Sequence, residues 1–218
     1  MLNFRLHKKT DDPFALLVLG AHSDDIEIGC GGTILKLMDK YKNIKITWVV
    51  MAAQEKRERE AKKSTRNYLK NIHNYKIITH QFRDGFLPYQ GGAIKKLFEV
   101  LKTKVSPDLI LTHFRDDLHQ DHRIISELTW NTFRNHTILE YEIPKYDGDI
   151  GSPNLFVPLE EAICIKKIKY LLGTFKTQAK KQWFTEETFW AILRLRGIES
   201  NSPTKYAEAF YARKVILE

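Results

Sequence analysis

Apolar, β-branched runs alternate along this chain with stretches whose apolar residues recur at close to helical spacing. ALLVLGA (15–21), IKITWVVMAA (44–53), YKIITHQF (75–82) and DLILTHF (108–114) have the near-continuous apolarity of strands buried on both faces of a parallel sheet. Between them, residues 32–42, 55–71 and 91–104 carry helix-forming residues with one apolar face. The pattern predicts a further helix at 121–135 and a strand at HTILEYEI (136–143). Alternation of this kind predicts an α/β fold: a single Rossmann-like domain with a mostly parallel sheet flanked by helices. Beyond Pro144 the pattern loosens, and the proline- and glycine-bearing stretch 144–158 reads as a long loop over a site. Helices near 160–173 and 185–198 and a final strand within YAEAFYARKVIL complete the reading.

Length and composition narrow this further. A chain of 218 residues suits one domain over 1–218 and is short for two. No apolar run approaches the roughly 18–20 residues of a membrane span, and MLNFRLHKKTDD lacks a signal-peptide core. Two cysteines, Cys30 and Cys164, do not make a disulfide framework, so the expected location is cytoplasmic. The formal net charge of +8 raises the question of nucleic acid. Its lysines and arginines are spread through EKREREAKKSTR, CIKKIK and KTQAKKQW, which read as solvated helix faces, and no nucleic-acid reading motif is present. Nucleic acid is therefore not an expected partner. An anionic small molecule or an anionic membrane surface suits the charge as well, and a homo-oligomer is compatible with the sequence.

The chemistry gathers at two strand ends. His22, Asp24 and Asp25, in AHSDDIEIGCGGTI (21–34), follow the first strand; His113, Asp116, Asp117, His119, Asp121 and His122, in THFRDDLHQDHR (112–123), follow the fourth. Open α/β sheets bind ligands beyond the carboxyl ends of their strands, so the two groups converge if strands one and four are neighbours. A catalytic zinc takes three protein ligands and keeps a position open, which two histidines and a carboxylate satisfy. Alone, HSDD reads as a turn and HQDH as a helix N-terminus with Asp121 near the positive end of the dipole. Together, on matching strand ends, they point to a metal site. The spacing G-C-G-G does not match the G-x-G-x-x-G of dinucleotide binding. Gly29, Gly31 and Gly32 are instead expected to allow a tight turn, close backbone approach and a helix opening near the site.

As a pair, AHSDDIEIGCGGTI and THFRDDLHQDHR resemble the PIG-L/LmbE-like family of zinc-dependent N-deacetylases, across residues 15–135 and more weakly in RLRGIESNSPTKYAEAF. Members remove acetyl groups from N-acetylglucosamine-type sugars in glycolipids, thiol cofactors and secondary metabolites. The resemblance implies His22, Asp25 and His122 as metal ligands and Asp24 as general base on the hydrolytic water. It implies that His119, as an imidazolium, stabilises the oxyanion or protonates the leaving amine, and that Asp121 orients a histidine. It also implies Arg57 near the substrate and Asp84 on sugar hydroxyls. Zinc is the implied metal, and iron fits the same donor set. Ser23 and Gln120 stand where the family usually has proline, and Glu27 lies two residues after Asp25 where many members have glutamate directly after the aspartates; its role stays open.

Ordinary readings exist for the outlying residues. Arg57 and Glu60 could form a solvated ion pair, and Asp84 could make an Asp-Gly turn. His113 reads as a packed strand end, Asp116 and Asp117 as loop residues without a role, Cys30 as a buried thiol, and Trp183 and Trp190 as core. The expected function is a metal-dependent hydrolase that removes acetyl from an N-acetylated amino sugar, carrier-linked and anionic in one version. The alternatives are a metal-dependent amidase on a non-sugar acyl amine and a non-catalytic nucleotide-binding Rossmann-like module. The module would have no need for His22, Asp24, Asp25 and His122 together.

Overall fold

The computed structural model describes residues 6, 8, 9 and 11–216. β1 (Phe14–His22), β2 (Ile44–Ala52), β3 (Tyr75–Thr79), β4 (Leu109–His113) and β5 (Ile138–Tyr141) are parallel, β7 (Tyr206–Ala212) is antiparallel to β5, and β6 (Leu155–Leu159) closes the edge. Their order is β3-β2-β1-β4-β5-β7-β6. The chain thus moves outward from β1 in one direction through β2 and β3, then returns to β4 on its other side. That reversal is where open α/β sheets leave a crevice at the strand ends.

Both faces of the sheet are covered, which explains the unbroken apolarity of the central strands. Leu16 and Val18 of β1 pack with Ile26, Ile28 and Ile34 of α1 (Asp25–Lys40), Ile168 and Leu171 of α5 (Glu161–Thr174) and Phe189 and Leu193 of α6 (Glu186–Glu199). Tyr68 of α2 (Glu55–Tyr68) belongs to the same cluster. Their neighbours Leu17 and Leu19 point the opposite way, onto Ile94, Phe98 and Leu101 of α3 (Gly91–Lys102) and Ile125 of α4 (Gln120–Thr132). Trp183 and Trp190 pack against the first cluster, partly buried, and Cys30 and Cys164 are buried free thiols.

Two elements differ from the sequence reading. The first helix starts at Asp25 rather than at residue 32, so Gly29, Gly31 and Gly32 lie inside α1 and make no turn. They are close-approach residues. A Cβ on Gly29 would sit 2.1 Å from Cδ2 of Tyr141, and one on Gly32 would sit 2.4 Å from Cδ1 of Leu159. Gly29→Ala is therefore expected to lower stability by about 1–3 kcal/mol through overpacking, despite the roughly 1 kcal/mol that alanine gains in a helix. Urea denaturation reads the difference. The second departure is β6, which lies in the stretch expected as loop. Pro158 masks it in the sequence, but β6 is an edge strand paired with β7 alone, where a missing backbone donor is tolerated.

Inside α1, Cys30 leaves helical geometry (φ −143°, ψ 15°). In a regular helix the Gly32 amide would donate to the Ile28 carbonyl. Here Lys167 Nζ donates to Ile28 O at 2.6 Å, while Glu208 accepts from Gly32 N at 2.7 Å and from Thr33 N at 2.6 Å. The two side chains also bond each other at 2.6 Å. A buried ion pair from α5 and β7 thus takes up backbone groups at the kink. The other shifts are small. β3 ends at Thr79 instead of residue 82, after which Gln81 makes a single bridge to Ala52. The outermost ends of the 1–218 span, with Leu217 of the expected final strand and most of the N-terminal stretch read for a signal, lie outside the described residues. Among the described residues, no helix is long and apolar enough to cross a membrane.

Candidate metal centre

β1 and β4 are adjacent, so the two motifs meet. His22 is the last residue of β1, Asp24 precedes α1 as its cap residue, and Asp25 opens that helix. From the other side, His113 ends β4, His119 caps α4, and Asp121 and His122 lie in the first turn of α4. His22 Nδ1 faces His122 Nε2 at 3.2 Å. Asp25 closes the triangle, with Oδ2 3.3 Å from His22 Nδ1 and Oδ1 3.5 Å from His122 Nε2. All three residues are buried.

The outer nitrogens of the two rings are held by carboxylates. His22 Nε2 lies 3.2 Å from Asp121 Oδ2 and 3.1 Å from Asp84 Oδ1, and His122 Nδ1 lies 2.9 Å from Asp117 Oδ2. Ionised carboxylates only accept, so these outer nitrogens carry the protons. The inner nitrogens face each other and the Asp25 carboxylate, a set of donor atoms of the kind that binds a metal ion. The carboxylates around the rings make this a pocket that attracts positive charge, as a proton or as a metal ion that displaces it. Burial works against charge on His22, but Asp25, Asp121 and Asp84 outweigh it and raise its pKa well above the ordinary value. Burial works against charge on Asp25 too, and His122, His22 and His113 overcome it and hold the carboxyl well below the usual range.

Other histidines and aspartates lie close enough to offer further combinations: His22, His119 and His122; Asp25, His113 and His122; and His22, Asp84 and Asp121. His113 Nε2 accepts the Ala21 amide at 2.9 Å, so its lone pair is already engaged. Burial and the neighbouring His122 push its pKa down to about 4, which leaves it neutral. His119 Nδ1 accepts from the Asp121 amide at 3.2 Å, as an N-cap. Burial, His122 and His22 lower the pKa of His119. Asp121 is fixed from three sides, since its carboxylate also accepts from Gly85 N at 2.7 Å and Leu87 N at 3.1 Å.

Asp24 lies beside the triangle and outside it. Its Oδ1 accepts from Arg57 Nη2 at 2.7 Å, and burial raises its pKa against the pull of Arg57. Arg57 reaches Asp84 through Nη1 at 3.3 Å, so α2 and the loop after β3 both come to this edge. Asp84 is 51% exposed at its side chain, at the mouth of the site. Glu60 makes no pair with Arg57; it accepts from the amide and hydroxyl of Thr177 at 3.0 and 2.6 Å. Glu27 is fully buried, neither carboxyl oxygen has a partner among the described residues, and burial raises its pKa to about 8.

Three groups near the centre have no chemical role in the sequence reading. Asp117 bonds a site histidine where only loop-forming was expected; its place in a run of acids and histidines was the available signal. His113 lies 3.1 Å from Asp25 Oδ2 as well as ending a strand. Lys145 reaches Asp117 Oδ2 at 3.0 Å from the loop after β5, and no feature of the sequence near it signals this.

Comparison with known proteins narrows the class. Residues 17–133, more than half of the chain, match the PIG-L family described as GlcNAc-PI de-N-acetylase. The chain belongs to the PIG-L family of deacetylases. It is 30% identical over 138 residues to the uncharacterized deacetylase YaiS of Escherichia coli (strain K12), covering 59% of this chain and 74% of that one. The fold is similar to that of N,N'-diacetylchitobiose deacetylase from Pyrococcus horikoshii, with a TM-score of 0.68, 22% identity and coverage of 95% of this chain and 86% of that one. It is also similar to that of a 4-carboxy-2-hydroxymuconate hydratase from Pseudomonas putida KT2440, with a TM-score of 0.73, 14% identity and coverage of 94% and 98%. One architecture thus carries more than one reaction, and the chemistry has to be argued from the site.

Proposed function

We propose that this PIG-L family protein is a metal-dependent hydrolase that removes the acetyl group from an N-acetylated amino sugar, with His22, Asp25 and His122 holding zinc. The observation that carries the reading is the buried cluster of His22 Nδ1, His122 Nε2 and the Asp25 carboxylate. Ligands at about 2.0–2.1 Å around a tetrahedral ion stand about 3.3–3.4 Å apart; the two inner nitrogens here are 3.2 Å apart, with one Asp25 oxygen 3.3 Å from His22 Nδ1 and the other 3.5 Å from His122 Nε2. Iron would suit the same donors. When bound, such an ion polarises a carbonyl oxygen and lowers the pKa of water to about 7.

The remaining groups have work that follows from their positions. Asp24, raised in pKa by burial, takes the proton from the water attacking the acetyl carbonyl and returns it to the departing nitrogen. Arg57 steadies Asp24 through the bond to Oδ1. His119 serves the oxyanion; burial and two neighbouring histidines lower its pKa, which favours a neutral donor over the imidazolium that the resemblance implies. With Nδ1 accepting from Asp121, its Nε2–H is left to stabilise the oxyanion. Asp121 and Asp117 orient His22 and His122, as outer partners of metal-binding histidines do. Arg57 lies near the substrate and the half-exposed Asp84, its partner at the mouth of the site, bonds sugar hydroxyls in this reading. An anionic carrier on the sugar is favoured by an open groove of about 510 Å³ lined by Lys56, Arg59, Lys63 and Lys176 with Glu60. A cytoplasmic location fits the free cysteines.

The test is release of free amine from a panel of N-acetylhexosamine conjugates beside non-sugar N-acetyl amines. Release from the sugars is the expected result. Release from the non-sugar amines alone would make the protein an amidase of another kind, and nucleotide binding with no release at all would make it a binding module.

A further inference from the structure

We propose that Lys145, in the loop after β5, is a positioning residue for the metal centre and acts through Asp117 on His122; the inference rests on the metal reading above. Asp117 Oδ2 accepts from His122 Nδ1 at 2.9 Å and forms an ion pair with Lys145 Nζ at 3.0 Å. One carboxylate oxygen thus faces both the imidazole and the ammonium. Its other oxygen accepts from the His119 amide at 2.7 Å. The same Lys145 ammonium bonds Asp149, and Asp149 accepts from Leu118 N at 2.8 Å. Lys145 therefore sits between Asp117 on one loop and Asp149 on its own, with Asp147 of its own loop further off at 4.0 Å.

The alternative is that Lys145 is an ordinary surface ion pair. Its burial speaks against that, since the side chains of Lys145, Asp117 and Asp149 are 8%, 2% and 7% exposed. Charges so largely withdrawn from solvent depend on one another, and removing the cation leaves Asp117 and Asp149 facing across the gap, with the more exposed Asp147 beside them. Arg123 does not substitute for it: its Nη1 donates to the Asp117 and Leu118 carbonyls, which anchors the backbone and not the carboxylate. With Lys145 gone, the His119 amide alone fixes the Asp117 carboxylate as it holds the His122 ring. Outer partners of metal-binding histidines are worth 10–100-fold in metal affinity or activity, and Lys145 stands one contact further out.

The experiment compares Lys145→Met, Lys145→Arg, Asp117→Asn and the Lys145→Met/Asp117→Asn double variant in the full chain. Zinc affinity is read by competition with a chromophoric chelator on protein shown to be folded by circular dichroism. Lys145→Met is expected to weaken zinc binding by about tenfold and to lower kcat with KM within about twofold. Lys145→Arg should restore most of the affinity, because a guanidinium can bridge the same two carboxylates. The double variant should bind zinc no more weakly than Asp117→Asn alone. Folded Lys145→Met with the zinc affinity of the unmodified protein would overturn the proposal, as would losses that simply add in the double variant. Zinc affinity is read without substrate, so a failure to deacetylate sugars leaves this test intact. If the unmodified chain binds no zinc, the metal reading fails and this proposal with it.

Discussion

An Asp24→Asn protein is expected to keep its metal and lose about 10²–10⁴-fold of kcat, the range that general acid–base catalysis supplies. Asp24 and Asp25 are neighbours in sequence with different surroundings. Asp25 touches three histidines, with contacts to His22, His113 and His122 at 3.3, 3.1 and 3.5 Å, and is held as an anion by them. Asp24 touches none of those rings within bonding distance; its partner is Arg57, and burial raises its pKa. The first environment suits a ligand and the second a base. Asp25→Asn should therefore lose metal first and activity as a consequence, since a neutral amide replaces an anionic donor. Metal content and turnover of both variants, measured side by side, check the assignment. Metal lost from Asp24→Asn and kept in Asp25→Asn would mean that the two roles are reversed.

Lys167→Met is expected to lower folding stability by about 3–5 kcal/mol, the cost of leaving one member of a buried ion pair without the other. Glu208 would keep the Gly32 and Thr33 amides but lose its counter-charge, and the Ile28 carbonyl would lose its donor. For a domain of this size the melting temperature should fall by roughly 6–20 °C. Replacing both partners, as Lys167→Met with Glu208→Gln, should recover part of the loss because no lone buried charge remains. Calorimetry on the three proteins decides. A single variant within about 1 kcal/mol of the unmodified chain would mean that the pair contributes little beyond its own desolvation.

What the sequence makes legible is what local pattern controls. The apolar strands, the helices between them and the His/Asp clusters at two strand ends follow from residue type and spacing, and the adjacency of β1 and β4 then brings the clusters together. The misread elements depend on distant partners. Three glycines in four positions look like a turn until Tyr141 and Leu159 are seen to occupy the space where side chains would be. Pro158 argues against a strand unless the strand is known to be at the edge. Burial and two neighbouring histidines lower the pKa of His119, which no local rule reveals. Asp117 carries a visible hint in its neighbours, whereas Lys145 meets it only because the loop after β5 folds back over the site.

The central claim is that hydrolysis depends on an ion held by His22, Asp25 and His122. The most direct measurement strips the protein with chelator, then follows amine release from an accepted N-acetyl sugar as zinc is added back. The predicted result is no release without zinc and a rise that saturates at about one ion per chain, as expected of a single three-ligand site. Full hydrolysis by the stripped protein would contradict it.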